Sequence, residues 1–231
     1  MTAASAQREL LIVGSGGFAR ETAEAVRAVN AVRPSWSLLG FLDDDEGLHG
    51  SSACGAPILG PLELAHDLSD AAVVIATGRP GNYASRRLIA ERLELGDERY
   101  ATVIHPTATL GGSCEVGSGS VLLAHVDLTA EATVGRHVAV MPQVVLPHDA
   151  TVGDYATLAS GVRVGGACRL GEGAYVGAGA CLREGTSIGP WSLVGMGAIV
   201  TRDVPPERLW HGVPARDAGC APLPDGFPPP D

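Results

Sequence analysis

A period of six residues runs through the second half of the chain. From Ile104 an aliphatic residue returns at every sixth position, seventeen times without a break: Ile104, Leu110, Val116, Leu122, Leu128, Val134, Val140, Leu146, Val152, Leu158, Val164, Leu170, Val176, Leu182, Ile188, Val194 and Val200. Four residues after each sits a small or β-branched residue, from Ala108 and Cys114 to Ala198 and Val204. Glycine often follows the aliphatic residue directly, as at Gly111, Gly117, Gly135, Gly153 and Gly165. A helix repeats its faces every 3.6 residues and a strand every two, so a period of six fits neither. It fits a prism of short parallel strands, with one strand and one corner per hexapeptide and three hexapeptides per turn. Residues 18 apart then stack in columns. The aliphatic side chain fills the prism, the small residue gives the next wall room to pass, and glycine serves corners with unusual dihedrals. Nearly six turns at roughly 4.8 Å per strand predict a column about 27 Å long.

The chain's 231 residues leave room for a second modest domain. Only 4% of them are aromatic while 45% are hydrophobic, which suits a core of Val, Leu and Ala. No apolar run reaches the length of a membrane span, and no basic-then-apolar segment opens the chain, so a cytoplasmic protein is expected. Net charge is −10 and all 16 basic residues are arginine, which argues against nucleic acid as a partner. An anionic ligand would need local arginines or backbone N–H groups. Cys114 and Cys168 occupy the small interior slot three turns apart, and Cys54, Cys181 and Cys220 form no close pair. That spacing supports neither a zinc site nor a disulfide framework.

Residues 1–8 read as a loose leader. Leu10–Val13 is a short apolar strand running into Gly14-Ser15-Gly16-Gly17 and a helix to about Asn30, a layout that sets backbone N–H groups and a helix N-terminus against phosphate. Leu38–Leu42 is a second strand ending in Asp43-Asp44-Asp45, where a ribose or base is usually bound. Ala72–Ala76 is a third, ending at Thr77-Gly78, with a helix from about Asn82 to Leu95. This is half of a Rossmann-type unit. Its glycine pattern departs from the full dinucleotide fingerprint, and a small α/β domain whose glycines merely turn the chain reads equally well from the motif alone. A prism stands in place of the second mononucleotide half, so a nicotinamide oxidoreductase is not expected.

The combination is more specific than either half. A glycine turn, Phe41-Leu42-Asp43-Asp44, Pro57-Ile58-Leu59-Gly60-Pro61-Leu62, Ile104-His105-Pro106 and then hexapeptides resembles the PglD/NeuD-type sugar acyltransferases over about residues 9–216. The resemblance implies an α/β plus all-β fold: a half-Rossmann-like domain over 9–100 that binds a nucleotide sugar, then a left-handed parallel β-helix over 101–216 that binds acyl-CoA. It further implies a homotrimer with active sites between neighbouring subunits. The implied reaction moves an acetyl group from acetyl-CoA to an amine or hydroxyl of a sugar, without a metal. Residues 217–231, rich in Pro, Gly and Asp, read as a disordered tail.

Acyl transfer from a thioester needs a proton taken from the nucleophile, a stabilised carbonyl oxygen and two aligned substrates. Of the seven histidines, His49, His66 and His211 lie outside the repeat, and His105 marks its junction. His125, His137 and His148 fall at different places in their hexapeptides. His148 holds the offset where glycine corners occur elsewhere, and a corner projects its side chain outward. By resemblance His148 is the family's catalytic histidine, and Asp149 the acidic neighbour that raises its basicity; PglD has Glu there. Contact between adjacent residues requires the corner bend, because strand neighbours point opposite ways. Gly166 stands 18 residues after His148 and should stack on it, its N–H open to the thioester carbonyl. Thr157, Ala178 and Met196 match family positions that contact acetyl-CoA, and Ala178 and Met196 share a column. Gly14, Ser15, Gly16, Gly17, Asp43, Asp44 and Gly78 match nucleotide-sugar contacts, whereas Phe18 replaces a histidine of PglD. Arg216 is a candidate partner for a CoA phosphate.

The main expectation is an acetyl-CoA-dependent N-acetyltransferase of a nucleotide-linked amino sugar. Three others stand beside it: O-acetylation of a sugar of the sialic-acid type, a non-catalytic sugar-nucleotide scaffold, and a zinc hydratase on the same prism. The hydratase needs converging histidines, and His125, His137 and His148 share no column.

Overall fold

The computed structural model describes residues 7–224 and 227. The N-terminal unit is a five-stranded sheet. Its strands are β1 (Arg8–Val13), β2 (Trp36–Leu42), β3 (Ser52–Ala53), β4 (Ala56–Gly60) and β5 (Ala72–Ile75), in the order β3-β4-β2-β1-β5. All neighbours run parallel except the β3–β4 hairpin. The central strands are apolar on both faces because both faces are covered. One face packs under α1 (Gly17–Val32), and the other meets α2 (Leu64–Asp67) and α3 (Ser85–Leu93). Strand β1 begins at Arg8, inside the expected leader; residues 1–6 lie outside the described set.

The prism follows as sixteen two-residue strands, β6 to β21, from Val103–Ile104 to Ile199–Val200. The remaining hexapeptide, at Val164, pairs only through bridges from Arg163 to Val145 and Cys181. Pairing runs 18 residues apart throughout the regular turns, as in Thr133 with Thr151 and Thr151 with Arg169. The aliphatic series and the small series together form one core, from Leu122 to Val204, with Ile104, Leu110 and Val116 half-buried at its start. Both predicted columns are therefore interior.

Two structures join the halves. Leu10, Ala23 and Val26 share a core with Val103, Val121 and Leu123 of the prism's first face. On α3, Arg86 is 1% exposed and donates to the carbonyls of His137, Tyr155 and Ala156 and to the Thr157 hydroxyl. Tyr83 adds a buried O–H bond of 2.7 Å to the Trp191 carbonyl.

The tail departs from expectation. Strand β22 (Arg208–Gly212) extends the first prism face, and β23 (Ala215–Cys220) pairs antiparallel with it. Arg208 and Asp217 pair across the hairpin at 2.8 Å. Order thus continues past 216 because an exposed sheet edge offers unpaired N–H and C=O groups that a further strand can satisfy. Phe227 packs edge-on against Trp191, with ring centroids 4.5 Å apart. Residues 225, 226 and 228–231 lie outside the described set.

Candidate functional site

Strand β1 runs into Gly14, whose φ of +95° suits glycine; a Cβ there would meet the Thr77 methyl at 2.7 Å. The chain then enters α1 with Gly16 as an N-cap that supplies no side-chain hydrogen bond. The first N–H groups of the helix are left for another acceptor, with the positive end of the helix dipole behind them. Neither Gly16 nor Gly17 has anything within 4 Å of where a Cβ would stand, so this end is open. It lines a cavity of about 380 Å³ with Ser15, Phe18, Asp43, Thr77, Gly78, Arg79 and Asn82. Ser15 donates to the Asp43 carboxylate at 2.6 Å, which turns that carboxylate toward the glycine loop.

Asp44 takes no part in this cavity. Its carboxylate accepts from Arg92 on α3 at 2.6 Å and from the Leu62 N–H at 3.3 Å, and Arg92 also pairs with Glu63. The bond to Arg92 holds the Asp44 carboxyl below the ordinary range. Successive residues at a strand end point opposite ways, so only one of the two aspartates can face the ligand side.

A second cavity, of about 160 Å³, continues from the first. Phe18 and Gly78 line both, and the second adds Arg86, Met141, Thr157, Tyr175 and Ala178. A groove of about 330 Å³ carries on past Ala178 to Met196, with Pro80 of the 77–84 loop at its side. Met196 is 80% exposed there. Gly78 has φ +132°, and a Cβ on it would fall 2.6 Å from the Arg86 Nη1. The structure thus places Thr157, Ala178 and Met196 along cavities that run on from the glycine loop. Arg86 at the midpoint is absent from sequence reasoning; a helix arginine gives no periodic signal.

His148 stands on a different edge of the prism. It follows the strand Val145–Leu146, whereas Ala178 follows Tyr175–Val176 and Met196 follows Leu193–Val194. His148 is 63% exposed, and its Nδ1 lies 2.8 Å from the Asp149 carboxylate. The corner makes that contact possible: Asp149 has φ +59°. Donation from Nδ1 leaves Nε2 as the free basic nitrogen. The ring stands against Gly166, where a Cβ would lie 2.6 Å from Cε1. Gly166 is buried beneath it, and the Gly166 N–H makes no backbone bond among the described residues. One chain therefore presents His148, Asp149 and Gly166 on one edge and the ligand cavities on another.

The other histidines are placed elsewhere. His125 and His137 sit on two further corners with φ of +59° and +53°, so the three prism histidines occupy three edges and do not converge. His137 is buried between Tyr155, stacked at 5.2 Å, and Tyr100. Arg216 is exposed on β23.

Comparison with known proteins follows the same division of the chain. The PglD N-terminal domain matches residues 9–93, and the bacterial transferase hexapeptide (six repeats) matches residues 131–166. The first match falls on the five-stranded sheet and its helices and the second on the prism. The chain is 34% identical over 121 residues to the UDP-N-acetylbacillosamine N-acetyltransferase of Bacillus subtilis (strain 168). The match takes in 51% of this chain and 52% of that relative, about half its length. Among solved structures, the acetyltransferase domain of PglB from Neisseria gonorrhoeae FA1090, in complex with acetyl coenzyme A, superposes with a TM-score of 0.81 at 27% identity. That likeness covers 92% of this chain and 100% of the other. A histidine-to-alanine mutant of the GDP-perosamine N-acetyl transferase from Caulobacter crescentus, in complex with CoA and GDP-perosamine, gives a TM-score of 0.80 at 25% identity over 93% of this chain and 98% of that one. The family resemblance read from the sequence and the β-helix it implies are thereby borne out. Among the described residues no helix is long and apolar enough to cross a membrane.

Proposed function

We propose that this PglD-type chain is an acetyl-CoA-dependent N-acetyltransferase of a nucleotide-linked amino sugar, working as a homotrimer. The observation that carries the reading is the line of three connected cavities from the glycine loop to Met196, together with a His148–Asp149 pair displayed outward on another edge. The nucleotide and its phosphates bind at Gly14–Gly17, Asp43 and Gly78, against the uncapped start of α1. The sugar then reaches into the second cavity. Acyl-CoA lies along Thr157, Ala178 and Met196, with its thioester at the sugar end. The base arrives from a second copy, because His148 and the cavities of one chain lie on different edges.

In the reaction the amine nitrogen attacks the thioester carbonyl. His148 Nε2 accepts the amine proton, while Asp149 holds Nδ1–H and stabilises the imidazolium. The Gly166 N–H faces the developing oxyanion. Collapse forms the amide, breaks the C–S bond and returns the proton to the departing thiolate. The relatives favour the amine over the hydroxyl acceptor, since both the Bacillus and the Caulobacter proteins are named N-acetyltransferases. The test is thiol release from acetyl-CoA across a panel of UDP-, dTDP- and GDP-linked amino sugars, for wild type and His148→Ala. Release that requires an amino sugar and falls by about 10² or more in the mutant supports the reading. No release with any amino sugar refutes it.

A further inference from the structure

Arg86 is a buried cation whose bonds all go to neutral groups. Its Nε donates to the His137 carbonyl at 2.8 Å, its Nη1 to the Thr77 carbonyl at 2.8 Å, and its Nη2 to the Tyr155 carbonyl and the Thr157 hydroxyl at 2.6 and 2.7 Å. No carboxylate touches it among the described residues, and one Nη1 hydrogen has no acceptor there. The carboxylates on this side already have other partners. Asp97 and Asp154 pair with Arg136, and Glu91 and Glu172 pair with Arg87. The titratable groups that face Arg86 are His137 and Tyr175. His137 is pushed down to about 4 by burial and Tyr175 is pushed up by burial, so both are neutral at pH 7.

A cation held only for structure is cheaper to bury beside a carboxylate. This one is left unneutralised where it lines the cavity between the nucleotide loop and the acyl groove. Its full charge therefore acts on whatever occupies that cavity, in surroundings that screen poorly. Resting on the amino-sugar reading above, we propose that Arg86 sets the ionisation of the acceptor: its fixed positive charge disfavours an ammonium in the junction cavity, so the sugar binds as the free amine, the form able to attack a thioester. Arg86 is a positioning and electrostatic residue that leaves the proton transfer itself to His148. The same charge favours the oxyanion that forms on the thioester, so one residue biases both partners toward reaction.

The readout is the proton released on binding, measured by titration calorimetry in buffers of different ionisation enthalpy. The probe is the panel member that releases thiol, compared with its counterpart bearing hydroxyl in place of the amine. A sugar amine, flanked by electron-withdrawing C–O bonds, titrates near 8 as an α-amino group does, so at pH 7 binding of the free amine releases about 0.9 proton. Wild type should release that amount with the amino sugar and none with the hydroxyl counterpart. Arg86→Lys, which keeps the charge, should retain the release, and Arg86→Gln and Arg86→Met should lose most of it. Because the wild-type measurement needs no variant to fold, binding of the amino sugar by wild type with no proton released overturns the proposal. So does undiminished release in folded Arg86→Gln or Arg86→Met. A failed panel would instead refute the amino-sugar reading, before any proton is counted.

Discussion

Replacing Gly166 by alanine separates catalysis from stability at one atom. A Cβ on Gly166 would stand 2.6 Å from His148 Cε1 and 3.2 Å from Cδ2, where ordinary contact begins at 3.4 Å. The imidazole must then move by about 1 Å, a misplacement that can cost on the order of 10²-fold in rate. The fold should not notice. The His148 ring is 63% exposed and can swing into solvent, and Gly166 does not sit in a left-handed conformation. Where backbone angles permit, Gly→Ala stabilises by about 0.4–1 kcal/mol through the unfolded chain. Steady-state kinetics beside thermal unfolding make the assay. Gly166→Ala should lose about 10² or more in kcat/KM at an unchanged or slightly raised Tm. His148→Ala should lose as much, and the double mutant little more. Gly177→Ala is the contrast: its Cβ would meet the backbone nitrogen of Met196 at 2.5 Å, with no side chain to swing aside. It should lose about 1–3 kcal/mol of stability. A Gly166→Ala enzyme within about threefold of wild type in kcat/KM would refute the stacked-base reasoning.

Three further outcomes follow from the same geometry. Asp43→Asn should weaken nucleotide-sugar binding about tenfold or more, because it loses a charged acceptor beside Ser15, while Asp44→Asn should leave calorimetric affinity within about twofold since its partners are Arg92 and Leu62. His137 is pushed down to about 4 by burial, so its folded form binds fewer protons than the unfolded chain. The stability this contributes is complete above pH 6.5, the unfolded value, and is lost as pH falls toward 4, by about 3 kcal/mol in all; denaturant titrations should show a shallower acid loss over that window in His137→Phe. Tyr83→Phe removes a buried bond to the Trp191 carbonyl and should lower stability by about 1–2 kcal/mol by urea titration, without changing kcat.

The prism was legible because its signal is periodic. Each of sixteen positions from Leu110 to Val200 repeats the demand made at Ile104, and the same count of 18 that stacks Thr133 on Thr151 places His148 over Gly166. The glycine loop and Asp43 were legible because strand, turn and helix are adjacent in the chain. What the sequence concealed was set by contacts between distant residues. Asp44 looks equivalent to Asp43 until Arg92, 48 residues on, takes its carboxylate. Arg86 reads as one surface arginine of an amphipathic helix, yet four of its five acceptors lie 51 to 71 residues away on the prism. The strand Ala215–Cys220 was hidden because it forms against an edge that only the folded prism supplies.

The central claim is that the site is completed between copies, and subunit complementation tests it directly. His148→Ala keeps its cavities and loses the base; Ala178→Trp keeps the base and blocks the groove. Each alone should be inactive. If His148 of one copy serves the groove of another, mixed trimers formed from equal amounts after subunit exchange should regain about a quarter of wild-type activity, the chance that an intact base faces an intact groove. Mixtures that remain as inactive as either parent, with exchange confirmed by mass, would contradict it.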